Sequence, residues 1–156
     1  MLRALTILSP DHDRGIPYDT VTLEHSERRL RRKLLRLKHG DEILLDFPQT
    51  LTLEHGSALE LEDGRLVGII AAEELLYEIR ARDTAHLVRL AWHIGNRHTS
   101  AQLEEARILI KRDHVLKTML EGLGATVANV AEAFNAEHGA YHSHAHADQP
   151  HALLAR

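Results

Sequence analysis

The chain has 156 residues, of which 44% are hydrophobic, 27% charged and 4% aromatic. This length fits one domain or two small ones, and a formal charge of −4 argues against nucleic acid or an anionic membrane as the partner of the whole chain. There is no cysteine, which excludes disulfides and thiolate metal sites and fits a reducing, cytoplasmic compartment.

The first residues lack the pattern of a secretion signal, and no apolar run is long enough for a membrane span. The segments LRALTIL and YDTVTLEH predict two strands, the first ended by Pro10. LRLK, the turn HGD and EILLDF predict a hairpin that stops at Pro48. Two further turns, at Gly56 and at Asp63-Gly64, separate three more strands. We therefore expect a small all-β domain over residues 1–72.

Helical patterns begin in the second half of the chain. ELLYEIRA predicts a strand, and a helix follows it with Asp83 or Thr84 as N-cap and Gly95 at its end. EARILI predicts a strand, Asp113 caps a second helix that ends at Gly122 or Gly124, and TVANVAEAF predicts a last strand. This β-α-β-α-β order, with room for one more short strand, indicates an α+β split βαβ sandwich. The apolar helix positions that we expect to pack are Leu87, Leu90, Ala91 and Ile94, then Val115, Leu116, Met119 and Leu120.

The C-terminal segment, residues 138–156, has five histidines between His138 and His151 but no apolar period. We expect it to be disordered. Neutral imidazole suits Ni²⁺, Cu²⁺, Zn²⁺ and Co²⁺, and the alternate histidines His142, His144 and His146 can turn toward one ion. A solvated low-complexity end or a cloning tag are the alternatives.

Most other histidines are expected to be structural. His12, His25, His39 and His55 lie near turns and should be solvated, while His86 and His93 should pack or cap, and Trp92 should be core or interface. His98 follows the first predicted helix in the sequence HIGNRH. One surface histidine cannot hold a metal tightly, but it can if a two-fold axis brings its copy alongside.

The run from Arg28 to Lys38 carries seven positive residues in eleven. It is either one charged face of strands, or a docking surface for an acidic partner or for RNA. RNA binding would fall steeply with salt and would not depend on His98. No H-E-x-x-H motif, phosphate-binding glycine loop or catalytic triad is found, so we expect a protein that is not an enzyme.

Three segments together, HLVRLAWHIGNRH, DHVLKTMLEGLGA and FNAEHGAYHSHAH, resemble the urease accessory nickel metallochaperones. The resemblance extends over nearly the whole chain, more loosely in LLDFP, LEHGSALELEDG and AAEELLYEI. It implies a protein that delivers Ni²⁺ to the urease assembly complex, with the urease accessory GTPase and the urease apoprotein as partners. Zn²⁺ and Cu²⁺ are further ions that such ligands accept.

The resemblance also implies the architecture and the ligands. An N-terminal partner-binding β domain would precede a ferredoxin-like βαββαβ domain, residues 73–137, that dimerises. Nickel would bind at the dimer interface through His98, with His142, His144 and His146 as further ligands. Some relatives have a histidine where this chain has Arg112, so His114 stands alone and is not counted as a ligand. General metal storage in a His-rich protein is the alternative function.

Overall fold

The computed structural model describes residues 1–139, and this part of the chain divides into two compact units, Met1–Ala71 and Ala72–His138. The α+β class predicted from the sequence is confirmed, with a β-rich first unit and a mixed α/β second unit. In the described part, no helix is long and apolar enough to cross a membrane.

The first unit contains one mixed six-stranded sheet. Its elements are β1 Leu2–Leu8, β2 Asp19–Leu23, α1 His25–Arg28, β3 Arg29–Arg36, β4 Glu42–Thr52, β5 Ala58–Leu61 and β6 Leu66–Ala71. The strand order is β2-β6-β5-β1-β4-β3, with β1–β4 and β2–β6 parallel and the other pairs antiparallel. Alternate strand residues point inward and form an aliphatic core that includes Ile43, Leu45, Leu59 and Ile69.

Three details of the first unit differ from the sequence prediction. It contains a one-turn helix, α1, and so is not purely β. Strand β4 does not stop at Pro48 but continues to Thr52, because the β3–β4 register shifts between Leu30 and Arg32 and accommodates the proline in a bulge. The turn at Gly56 does not make a hairpin of β4 and β5, because β1 lies between those two strands.

The second unit is a four-stranded antiparallel sheet with two helices. Its elements are β7 Glu73–Arg80, α2 Thr84–Asn96, β8 Gln102–Leu103, β9 Ile108–Lys111, α3 His114–Gly122 and β10 Thr126–Ala133, and the strand order is β10-β7-β9-β8. Asp83 and Asp113 cap the helices as predicted, each carboxylate accepting from backbone N–H groups of the first turn. Gly95 does not stop α2, which continues to Asn96.

Both helices pack on one face of this sheet. Leu90, Ile94, Leu116 and Leu120 contact strand residues such as Ile79, whereas Val115, predicted to pack, is exposed. On the opposite face, Leu76 and Leu109 are covered by Phe134 and Ala136 of the segment that follows β10. The chain after β10 is thereby held against the sheet.

An arginine-centred network of ion pairs links the strands of this unit. The Arg107 guanidinium donates to the carboxylates of Glu78, Glu104 and Glu132 at 2.8–3.2 Å. The hydrogen bonds that Arg107 donates to these carboxylates, that to Glu132 first, raise the pKa of Arg107. In return Arg107 lowers the pKa of Glu132, and Arg80 together with Arg107 lowers that of Glu78.

Candidate metal centre

His98 lies on the surface directly after α2, and its backbone conformation is unusual. It is the one non-glycine residue among those described that has a positive φ, 57°. Its N–H donates to the carbonyl of Gly95 at 2.9 Å, and the next N–H, that of Thr99, donates to the carbonyl of Ile94 at 3.4 Å. This pair of bonds defines a Schellman motif with His98 in the left-handed position that closes the helix.

The second helix ends in the same motif, which allows a direct comparison. After α3 the N–H of Gly124 donates to the carbonyl of Glu121, and that of Ala125 donates to Leu120, each at 3.0 Å. Gly124 has a φ of 90°. Glycine is the usual residue at this position because it has no Cβ to clash in the left-handed region. The chain therefore uses the favourable residue to end α3 and a histidine to end α2, where glycine would be more stable.

An exposed apolar stripe runs along α2 toward His98. Val88 and Trp92, one helical turn apart, are 65% and 63% exposed, and with Ala85 and Arg89 they line a shallow concavity. Trp92 is thus not a core residue, which leaves interface as its predicted role. Gly95 follows on the same side, with open space where a Cβ would lie. The i, i+4 spacing of Val88 and Trp92, on the side of the helix opposite the buried Leu90 and Ile94, indicates this exposed stripe in the sequence. Val88 was nevertheless not predicted to belong to the site.

The imidazole of His86 is buried and structural, as expected. Its Nδ1 accepts from the N–H of Arg82 at 3.0 Å, and its Nε2 donates to the carbonyl of Leu123 at 2.8 Å. With both ring nitrogens in hydrogen bonds, His86 has no lone pair for a metal. It instead ties the start of α2 to the end of α3.

The structure also shows the surroundings of the other histidines that were predicted to be structural. The ring of His93 packs edge-on against Trp92 with centroids 5.1 Å apart. His39 is solvated and pairs with the buried Asp19, and the exposed His55 accepts from the N–H of Ala71. His12 and His25 are half-buried rather than fully solvated. His114 is exposed at the start of α3.

Within residues 1–139, no three histidine, aspartate or glutamate side chains come together closely enough to hold a metal ion. These residues of one protomer therefore form no complete metal site around His98, and its role as a ligand stays a prediction. The predicted ligands His142, His144 and His146 lie outside the described residues, as does nearly all of the segment 138–156 that was predicted to be disordered.

The start of that segment is held close to His98. The N–H of Glu137 donates to the carbonyl of Ala101 at 2.8 Å, and the N–H of Asn135 donates to Oε1 of Gln102 at 2.8 Å. Ala101 is three residues from His98, which corresponds to at most about 11 Å of extended chain. No pattern in the sequence indicates this contact, which joins residues far apart in the chain.

Two family models match the chain and together cover most of it. Residues 3–72 match the N-terminal domain of the UreE urease accessory protein, and residues 74–153 match its C-terminal domain. Among curated proteins, the urease accessory protein UreE of Rhizobium rhizogenes is 51% identical over 92% of this chain and 86% of its own length. That of Agrobacterium fabrum is 52% identical over 85% of each chain.

The UreE of Rhizobium meliloti is 51% identical over 94% of this chain and 95% of its own length. Coverage of this extent excludes a match confined to one domain or to the histidine-rich end. The chain belongs to the UreE family of urease accessory proteins, and it is accordingly an accessory protein and not an enzyme, as its sequence predicted.

Proposed function

We propose that this protein is a nickel metallochaperone that binds Ni²⁺ and transfers it to the urease assembly complex during urease maturation. The observation that carries the proposal is the placement of an exposed histidine, His98, in a left-handed helix cap where glycine is the stable choice. Strain of this kind is retained where the side chain serves a function. Family membership supplies the context, since the relatives are urease accessory proteins.

The metal site requires a second copy of the chain. The second unit has the β-α-β-β-α-β order and the sheet order β10-β7-β9-β8, which support a ferredoxin-like fold. The exposed stripe of Val88 and Trp92 on α2 is the surface through which we propose that two such units associate. An isologous contact of this stripe would bring one His98 from each protomer toward a common two-fold axis.

The position of that axis follows from helix geometry. Trp92 lies about 6 Å along the helix from Asn96, at 1.5 Å per residue, so an axis at Trp92 in an antiparallel pair would leave the two helix ends about 12 Å apart. Each histidine side chain extends several ångströms from its Cα, and the bond from imidazole nitrogen to metal adds about 2 Å, so two His98 side chains can reach one ion across that gap. An axis between Trp92 and Gly95 is therefore compatible with a shared site, and the open space at Gly95 permits close approach of the helices.

The C-terminal histidines are the proposed further ligands. Glu137 is anchored beside Ala101, and His142 lies five positions further along the chain, an extended length of about 17 Å. His142, and beyond it His144 and His146, can therefore reach His98 of the same protomer. A site completed by such a segment exchanges ligands readily, because ordering the segment costs conformational entropy.

This ligand set suits transfer of nickel rather than its permanent retention. Neutral imidazole is a good ligand for Ni²⁺, and a solvent-exposed, incompletely filled coordination shell lets an acceptor's ligand enter before the chaperone's ligands leave. We propose the urease accessory GTPase and the urease apoprotein complex, in the cytoplasm, as the acceptors. The first unit, Met1–Ala71, is the proposed partner-binding domain. Nickel affinity should fall on acidification, because imidazole must be deprotonated to bind metal.

The test is a calorimetric nickel titration of four forms of the full chain: wild type, His98→Ala, His114→Ala and a truncation after Gly139. His114→Ala is the matched control, because His114 is also an exposed histidine beside a helix end of the same unit. We expect one tight Ni²⁺ per dimer in the wild type and in the control. The His98 variant should lose this ion. The truncation should retain an ion at His98 but bind it less tightly, and it should bind fewer ions in total.

Two outcomes would contradict the proposal. A tight nickel ion that persists in His98→Ala would place the interface site elsewhere. Binding that depends only on the C-terminal histidines, with the same stoichiometry in the His98 variant, would indicate metal storage instead of delivery.

A further inference from the structure

Strand β3 forms one edge of the sheet in the first unit. It pairs with β4, from Arg29 opposite Thr52 to Arg36 opposite Glu42, and no strand pairs with its other side in the described part of the chain. Beyond its end, the N–H of Lys38 donates to the carbonyl of Thr20. The stretch Arg29–Arg36 therefore presents backbone N–H and C=O groups that can pair with an incoming strand.

Several cationic side chains on this edge form no ion pair with the described residues, although Asp46 and Glu42 of β4 lie opposite Arg32 and Arg36. No ion pair involves any of five cationic side chains here, as far as the described residues show: Arg29, Arg32, Lys33, Arg36 and Lys38. Other arginines of the same unit do form such pairs, Arg14 with Glu60 and Arg65 with Asp63. The cations of the edge strand thus form no ion pair within the part of the chain described, and they can pair with carboxylates of another molecule on the open side of β3.

The side chains alternate along the strand in a regular way. Leu35 is buried, whereas Arg32, Leu34 and Arg36 point to the solvent side, with Leu34 46% exposed. Residues on one side of a strand repeat every 6.5–7 Å or so. A neighbouring strand has the same repeat, so a sequence of the pattern acidic-x-apolar-x-acidic would match all three side chains, and the pattern reads alike in either direction.

Two other roles for a basic edge are less favoured. Charge on an edge strand prevents pairing between copies of the same chain, and that repulsion is fully compatible with pairing to an acidic strand. Single-stranded RNA is bound through aromatic stacking as well as charge, and β3 contains no aromatic residue. The chain's formal charge of −4 adds no general attraction for polyanions.

We infer that the edge of β3 binds an acidic, extended segment of a partner protein as an added strand of the sheet. Backbone hydrogen bonds would supply affinity, and carboxylates of the partner beside Arg32 and Arg36, with an apolar side chain beside Leu34, would supply specificity. This surface belongs to the first unit and involves neither His98 nor a metal, so the inference is independent of the proposed nickel function.

The test uses fluorescence anisotropy of a labelled heptapeptide, TETVTET, with the full-length metal-free protein. The variant Arg32→Gln/Arg36→Gln should weaken binding about 2- to 30-fold, the range expected for two exposed ion pairs. The control Arg3→Gln/Lys117→Gln removes two cations outside β3 that form no ion pair in the described structure, and it should bind as the wild type does. Circular dichroism would verify that both variants fold.

Three further probes separate strand addition from simple charge attraction. TKTVTKT should not bind. TETVTET methylated on the backbone nitrogens of alternate residues keeps its charge, and one of the two possible methylation patterns should abolish binding. An oligouridylate should bind more weakly than TETVTET.

Several results would overturn the inference. Equal binding of TETVTET to the Arg32/Arg36 variant and the wild type would remove β3 as the site. Undiminished binding of both methylated peptides would exclude strand addition. Tighter, Arg32/Arg36-dependent binding of the oligouridylate would assign the surface to RNA.

Discussion

Replacement of His98 by glycine should make the metal-free protein more stable while removing its tight nickel site. Most substitutions of a functional residue leave stability unchanged or lower it. Here the left-handed backbone at φ 57° is unfavourable for histidine, and the same cap at the end of α3 is occupied by Gly124. The expected gain in stability therefore follows from comparing the two helix caps of the same protein, one with His98 and one with Gly124.

The magnitude can be worked from the backbone alone. A residue with a Cβ loses about 1–2 kcal/mol in the left-handed region, which glycine avoids. Glycine in turn loses about 0.5–1 kcal/mol more conformational entropy on folding. The His98 side chain is exposed and contributes little packing, so His98→Gly should raise the free energy of unfolding by about 0.5–1 kcal/mol. The reciprocal change, Gly124→Ala, should lower it by about 1 kcal/mol.

Urea denaturation followed by circular dichroism measures this difference. A chelator must be present, because nickel bound to the native state would stabilise the wild type and mask the effect. Protein concentration should be held fixed, because dissociation of a dimer contributes to the transition. His98→Ala is the matched control, because it removes the imidazole but keeps the Cβ, and it should not show the gain.

The reasoning would be refuted if His98→Gly were less stable than the wild type at an unchanged m-value. The same conclusion would follow if His98→Ala and His98→Gly were equally stable. In the first case His98 would make a stabilising contact, and in the second its Cβ would cost nothing in the left-handed region. In either case its conformation could not be taken as a sign of function.

Three further predictions concern the second unit. Trp92→Glu places a charge in the exposed stripe of α2 and should convert the proposed dimer to monomers in sedimentation analysis, with the monomer's circular dichroism unchanged, because Trp92 is exposed and not part of the core. His86→Ala breaks two hydrogen bonds of a buried ring and should lower the free energy of unfolding by about 2–4 kcal/mol in urea denaturation, whereas His114→Ala should change it by less than about 0.5 kcal/mol. Arg107 lowers the pKa of Glu132 below its ordinary value of 4.5, so its stabilisation is present above that pH and lost as the pH falls through the lowered value. Arg107→Gln removes the pairs with Glu78, Glu104 and Glu132, each worth up to about 1 kcal/mol when partly exposed. The stability difference between wild type and this variant should therefore shrink in denaturation curves below pH 4.5.

Local chemistry explains which parts of the fold the sequence predicted. The first helix was predicted to be capped by Asp83 or Thr84 and the second by Asp113, and the caps are Asp83 and Asp113, because a carboxylate one position before a helix satisfies N–H groups only a few residues away. The β3–β4 hairpin and the turn between β5 and β6 were predicted for the same reason. Each of these features depends on residues adjacent in the chain.

Features that depend on distant partners were not predicted. Pro48 is tolerated within β4 because of a register shift against β3, and the insertion of β1 between β4 and β5 has no local signal at all. Gly95 remains helical because Arg97 and His98 provide the cap two residues later. Turn residues identify where a chain is able to turn, and packing decides whether it does.

At the candidate site, too, some features could be predicted from the sequence and others could not. The sequence was sufficient to select His98 from its position near a helix end, but not to show its left-handed conformation, which requires the cap hydrogen bonds to Gly95 and Ile94. The contact between Glu137 and Ala101, which brings the C-terminal segment near the site, joins residues 36 positions apart and was not foreseen.

The central place of β1 in its sheet has a consequence for biosynthesis. Strand β1 is synthesised before its neighbours β4 and β5, which end at Thr52 and Leu61. At a translation rate of about 5–20 residues per second, β1 waits about 3–11 seconds for its second neighbour, with Ala4 and the half-buried Leu2 and Ile7 uncovered meanwhile. This nascent segment is the part of the chain most in need of protection by general folding factors, and slow translation should aggravate its aggregation.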